Sequence, residues 1–188
     1  MTDSSPQRQR ILDAAVAILA EKGQAGLTVR AVAVASDFST TGVYTWFGGK
    51  EGLLDAIYRD GFARFRAYVA EADSTADPRE RLRVAGERYW QWALENRTHY
   101  LLMFAGAPAV FSPSPEAVAE ADLSFDDLAK RTAAYTDEDV AHHLWATLHG
   151  YAMLQISGAS GDEGEAFARL QSGLSRALDQ LTPTRQAR

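Results

Sequence analysis

The chain has 188 residues, 46 % of them apolar, with 25 acidic and 19 basic groups and a net charge of −6. This composition suits one compact unit or a small module joined to a larger one. The absence of cysteine excludes disulfides, thiolate metal sites and a cysteine nucleophile, and it fits a reducing cytoplasm. The polar start, MTDSSPQRQR, lacks the apolar stretch of a signal peptide, and no window approaches about 18 uninterrupted apolar residues, so no membrane span is expected.

Helical periodicity dominates and strand signals are weak. Ile11, Ala15, Ile18 and Leu19 recur at helical spacing, and EKGQAG then offers two glycine stop signals. Thr28 is a suitable cap for a short helix running to about Ala35, and Asp37 suits a left-handed turn position. A second short helix is expected from Ser39, whose hydroxyl can cap it, to Gly48-Gly49. Lys50 opens a longer helix along Leu54, Tyr58, Phe62 (or Gly61), Phe65 and Val69 that ends in EADSTADP. Asp77-Pro78 pairs an N-cap with an N1 proline at the head of the next helix. Three prolines from Pro108 mark a loop or corner. A helix from Pro115 to about Lys130 follows. Thr136 with Asp139 approximates a capping box before VAHHLWATLHGYAMLQI, which has no Asp, Glu, Lys or Arg between Val140 and Ile156. Helices that are apolar nearly all round are buried within a domain or between subunits. Phe167, Leu170, Leu174, Leu178 and Leu181 form the stripe of the last helix, which stops at Pro183. The fold class expected is all-α, with about nine helices.

Two short helices joined by a turn of about four residues and backed by an amphipathic helix have the size and order of a helix-turn-helix, here over about 28–47. In that geometry the second helix enters the major groove and its N-terminal residues meet base edges. Thr40 and Thr41 offer hydroxyls and methyls of the kind that read bases. Gly42 allows close backbone approach. Tyr44, Thr45 and Trp46 can reach flanking phosphates, and Lys50 can pair with one as a point charge. Val43 and Phe47, four apart, face the other way as glue. By composition alone, Tyr44 and Trp46 serve equally well as core aromatics. Net acidity neither vetoes nor supports such a partner, because residues 1–52 balance five basic groups (Arg8, Arg10, Lys22, Arg30, Lys50) against five acidic ones (Asp3, Asp13, Glu21, Asp37, Glu51).

Residues 10–58 closely resemble the DNA-binding domain of TetR-type transcriptional regulators. The resemblance rests on the amphipathic first helix, the LTVR-x-VA segment, and a signature carried by Ser39, Tyr44, Phe47, Lys50, Glu51 and Leu53. It implies an N-terminal DNA-binding domain over 1–52, a linking helix from about 50, and an effector-binding and dimerisation domain over 53–188. It further implies phosphate contacts from Thr28, Tyr44, Trp46 and Lys50, and base contacts from Thr40, Thr41 and Arg30, with Ser39 opening the reading helix. Two departures stand out: Asp37 occupies a turn position where the family usually has Gly, and Trp46 stands where many relatives carry His. Trp145, His149 and Gly150 are similar to the Trp…His-Gly signature of one C-terminal subclass, WHG.

The partners expected on this basis are a pseudo-palindromic operator in double-stranded DNA, a second copy of the chain packed through the last two helices, and a small, hydrophobic or aromatic effector. Tyr89, Trp90, Trp92, His99, Met103, Phe104, Trp145, His149 and Met153 make an aromatic-rich middle that is either a pocket lining or plain core. Repressor action rests on family frequency. No cofactor is expected. His142 and His149 share a helix face without a third ligand, so no metal site is expected either. No phosphate loop, nucleophile elbow or H-E-x-x-H is present, which argues against an enzyme. A helical protein-interaction adaptor that does not bind DNA is the other reading.

Overall fold

The computed structural model describes residues 6–106, 111–137 and 139–181. Helix α1 (Pro6–Gly26) buries Ile11, Leu12, Ala15 and Ile18 and leaves helical geometry at Gly23 (φ 60°, ψ −168°). Helices α2 (Val29–Ser36) and α3 (Thr40–Phe47) follow it, and α2 packs on both neighbours. Helix α4 (Lys50–Ala70) runs into a 3-10 turn over Glu71–Ser74. Then come α5 (Pro78–Glu95), the short α6 (Arg97–Leu101) and a π turn over Leu102–Gly106. The last helices are α7 (Pro115–Ala133), α8 (Val140–Ile156) and α9 (Glu163–Gln180). Among the described residues there are nine α-helices and no strand. Pro108 and Pro183, expected at a corner and a stop, lie outside the described residues.

The chain divides into two compact units: Met1–Phe62 with Thr98–Glu120, and Ala63–Arg97 with Ala121–Arg188. In the first, Leu27, Val32, Val43, Leu53, Leu54 and Ile57 are buried together with the apolar face of α1. Asp55 of α4 holds the start of α7: its carboxylate accepts from the Ser114 amide (2.7 Å) and hydroxyl (3.0 Å). The Ser114 hydroxyl oxygen in turn accepts from Ala117 N–H, an N-cap before Pro115.

In the second unit α5, α8 and α9 pack on one another. Asp77 caps α5 by accepting from Glu80 N–H at 2.7 Å, with Pro78 at the first helical position. Leu82, Leu144, Leu174 and Leu178 form one cluster, with Tyr135, Val140 and Leu181 against it. The leucine stripe of α9 is therefore consumed inside its own chain. Arg131 clamps Asp73 with two bonds of 2.8 Å, and Arg66 pairs with Asp127 at 2.9 Å.

The expected capping box does not form. Asp139, not Thr136, occupies the N-cap of α8, and its side chain makes no capping bond. Thr136 is buried instead, and the Asp139 amide donates to Asp137 Oδ1. An acidic side chain two residues earlier reaches that amide more directly than Thr136 can.

Candidate nucleic-acid interface

The geometry of this region is built from helix ends. The first amides of a helix have no intrahelical acceptor. At α2 the Thr28 hydroxyl oxygen accepts from Ala31 N–H (3.1 Å), and at α3 the Ser39 hydroxyl oxygen accepts from Gly42 N–H (3.0 Å). Both hydroxyls keep their own proton for an outside acceptor such as a phosphate oxygen. Between the helices Asp37 adopts the left-handed region (φ 58°, ψ 45°). Its amide donates to Val34 O, and the Phe38 amide donates to Ala33 O at 2.9 Å. This is the Schellman pattern that usually employs glycine. Gly48, also left-handed (φ 70°), closes α3.

The turn sets α3 with one side against the core and the other open. Val43 and Phe47 are buried. Thr40, Thr41, Tyr44 and Thr45 are exposed, Tyr44 by 57 %, while Gly42 and Trp46 are half-buried. Thr45 donates its hydroxyl to Thr41 O (2.9 Å), leaving its lone pairs and methyl to face outward. Thr28 and Arg30 are exposed on α2. Lys50 is exposed at the head of α4, and its ammonium donates to Gln24 O at 2.6 Å. An ammonium has three donors, so this tether orients Lys50 and leaves two N–H groups pointing elsewhere.

Two arginines that the sequence showed only as charges brace the head from α1. Arg8 lies 5.0 Å over the Phe47 ring; Arg10 lies 5.3 Å over the Phe38 ring and donates to Ser36 O at 3.1 Å. Their partners sit 26 to 39 residues along the chain, beyond the reach of any local motif. The Ser114 cap was more legible, since Ser114-Pro115 repeats the logic of Asp77-Pro78.

The aromatic residues proposed as a pocket fall in two places. His99, Met103 and Phe104 belong to the first unit. There His99 Nε2 stands 3.4 Å from Asp60 Oδ2, Met103 lies against Gly61, and Phe104 meets the rings of Phe62 and Tyr100. Tyr89, Trp90, Trp92, Trp145, His149 and Met153 belong to the second. Tyr89 and Trp92 meet Phe65 edge-on, and Trp90 stacks on Phe167 at 5.2 Å. Trp145 is 36 % exposed, between Phe125 and His149. Burial lowers the pKa of His149, because an apolar setting disfavours the imidazolium. Met153 is half-buried. Among the described residues no three His, Asp or Glu side chains gather as a metal site, and no helix is long and apolar enough to cross a membrane.

A short helix with a buried apolar side and an open hydroxyl side, set on its predecessor by a left-handed turn, defines a helix-turn-helix DNA reader. Residues 11–57 match the family described as bacterial regulatory proteins, tetR family, and residues 82–177 match the tetracyclin repressor-like C-terminal domain. The chain belongs to the TetR family of DNA-binding transcriptional regulators. Among its relatives is the HTH-type transcriptional repressor KstR2 of Mycobacterium tuberculosis, 38 % identical over 80 residues, a stretch that spans 40 % of this chain and 38 % of that repressor. A protein of unknown function from Rhodococcus sp. RHA1 shares the fold across 96 % of this chain and 97 % of its own, with a TM-score of 0.81 at 22 % identity. The multidrug binding protein EbrR, solved with imidazole, is 27 % identical over 96 % of this chain and 98 % of its own, with a TM-score of 0.64. The C-terminal match carries no WHG assignment.

Proposed function

We propose that this regulator acts in the cytoplasm as a repressor that binds a pseudo-palindromic operator as a homodimer and leaves it when a small hydrophobic or aromatic effector binds. The observation that carries the DNA half is the split of α3 into buried Val43 and Phe47 and exposed Thr40, Thr41, Tyr44 and Thr45. Thr40, Thr41 and Arg30 take the base edges. Thr28, Ser39, Tyr44, Trp46 and Lys50 take phosphates, and Gly42 leaves room for the duplex.

Homodimerisation through α8 and α9 uses their outward sides, since the leucine stripe is already buried. The outer face of α8 has no charged residue and exposes Trp145 and Leu154. A two-fold dimer places its reading helices about 34 Å apart, in successive major grooves, and doubles the phosphate contacts of a head with no net charge. Repression is supported by the likeness to KstR2, whose name describes a repressor. The effector class is supported by the likeness to EbrR, named as a multidrug binder, and by the aromatic clusters around Phe104 and around Trp145. Moving a balance of two states from 1:99 to 99:1 takes about 5.5 kcal/mol of differential effector affinity.

Selection of binding sites from random duplex DNA, followed by titration of the selected site at rising salt, tests the reading. A symmetric site whose affinity falls steeply with salt is expected. Absence of any salt-sensitive DNA binding would leave the protein as a helical adaptor, and turnover in a substrate screen would make it an enzyme.

A further inference from the structure

The turn of the reading head holds a non-glycine residue in the left-handed region, with Asp37 at φ 58°. Asp tolerates that conformation better than most L-residues but less well than glycine, so a contact that holds the turn adds to a weak local preference. The two Schellman amide bonds satisfy Ala33 O and Val34 O but leave the Ser36 carbonyl, the last of α2, without a helical donor. That carbonyl belongs to a buried residue, and a buried backbone acceptor needs a partner. Arg10 supplies it: Nη2 donates to Ser36 O at 3.1 Å, while the same guanidinium covers the Phe38 ring at 5.3 Å. One side chain of α1 thus grips the residue on each side of Asp37.

We propose that Arg10 is a positioning residue for operator recognition: it clamps the Asp37 turn and so fixes the angle at which α3 is presented, without itself neutralising a phosphate. The proposal rests on the operator reading and adds to it a residue outside the helix-turn-helix segment. A planar guanidinium can bond a carbonyl in its plane while stacking its face on a ring, and an ammonium cannot do both. Arg10→Lys should therefore fail to replace it. Glycine at 37 takes the left-handed conformation without strain, so Asp37→Gly should make the clamp dispensable.

The experiment is a set of operator titrations over a range of salt for wild type, R10A, R10K, D37G and R10A/D37G, each checked for folding by thermal melting. R10A and R10K are expected to bind the operator about ten-fold more weakly, within the range of a displaced base contact. Binding to random-sequence duplex and the slope of log affinity against log salt should stay at the wild-type value, and R10A/D37G should recover the loss. Amide exchange at Phe38 N–H, read without DNA, should be faster in R10A and restored in the double variant. A salt slope reduced by about one, with equal loss on random DNA, would make Arg10 a phosphate contact and overturn the clamp. R10A with wild-type operator affinity, or a double variant that recovers nothing, would overturn it too. A wild type that binds no DNA would sink the operator reading itself, a result recognisably different from these. If R10A alone fails to fold, R10K and the double variant still decide the matter.

Discussion

The reading head and the α5–α8–α9 unit differ in how far their charged side chains pair with one another. In the head Thr28, Ser39, Arg10 and Lys50 each bond backbone at a helix end, and the remaining polar groups of α3 stand open. In the second unit some charged residues likewise bond backbone, Arg81, Arg88 and Arg97 among them, but many bond one another: Arg131 to Asp73, Arg66 to Asp127, Arg79 to Asp179, and Arg83 to Glu80 and Glu87. Side chains that satisfy backbone hold a short element in a defined pose and leave a face free for a ligand. Side chains that satisfy each other hold helices together and present little to a partner. Substitutions should therefore separate recognition from stability in the head and not in the second unit.

The sharpest way to break that contrast lies inside the head. Phe47 is buried beneath Arg8, so Phe47→Ala should cost about 3–5 kcal/mol of stability and take operator binding with it. A melting temperature unchanged in this variant would show that α3 does not depend on its buried side. Thr40→Ala and Thr41→Ala should do the reverse. Both side chains are exposed, so melting should stay within about 0.5 kcal/mol, while operator affinity drops by about 1–3 kcal/mol at the position each one reads. Equal affinity across a panel of base-substituted sites would remove these residues from readout.

Acid should act on the second unit. The Asp73 carboxyl is held below its ordinary range chiefly by its hydrogen bonds to Arg131; burial opposes this, and the charges of Arg131 and then Arg81 add to the lowering. A carboxylate with a lowered folded pKa stabilises fully above its unfolded value, about 3.9, and the contribution disappears as pH falls through the folded value. Asp73→Asn should lower stability at neutral pH by up to about 1 kcal/mol and should weaken the acid dependence of unfolding below about pH 4. A variant with the wild-type acid limb would show that the pair contributes nothing there. The smallest effect concerns His149. Because burial lowers its folded pKa, the unfolded chain takes up a proton first as pH falls below about 6.5. Stability should then decline toward acid, and His149→Gln should flatten that decline, read as the melting temperature between about pH 5 and pH 6.5.

Much of the head was legible because its rules are local. Thr28, Ser39 and Gly48 cap where hydroxyl and glycine chemistry places them, Asp37 takes the left-handed turn, and spacing puts Val43 and Phe47 on one side. The aromatic middle was not legible in the same way. Tyr89, Trp90 and Trp92 lie within four residues of one another yet meet Phe65 and Phe167, and His99 faces Asp60, a residue of the same unit but far earlier in the chain. Helical periodicity states that a residue is on an inward stripe, not which neighbour the stripe meets. The α8 cap differs for a related reason: Asp137 rather than Thr136 accepts from the Asp139 amide, and which side chain reaches it depends on the path of the chain into the helix.

By itself the sequence determined the all-helical class, the boundaries of most helices, and the buried and open sides of α3, because each follows from interactions within about one helical turn. Only the tertiary structure decided that α9 spends its leucines inside its own chain, that Lys50 is tethered to Gln24, and that Arg10 closes over the Asp37 turn. Those contacts join residues far apart in the chain, and their geometry depends on how whole helices pack rather than on any local preference.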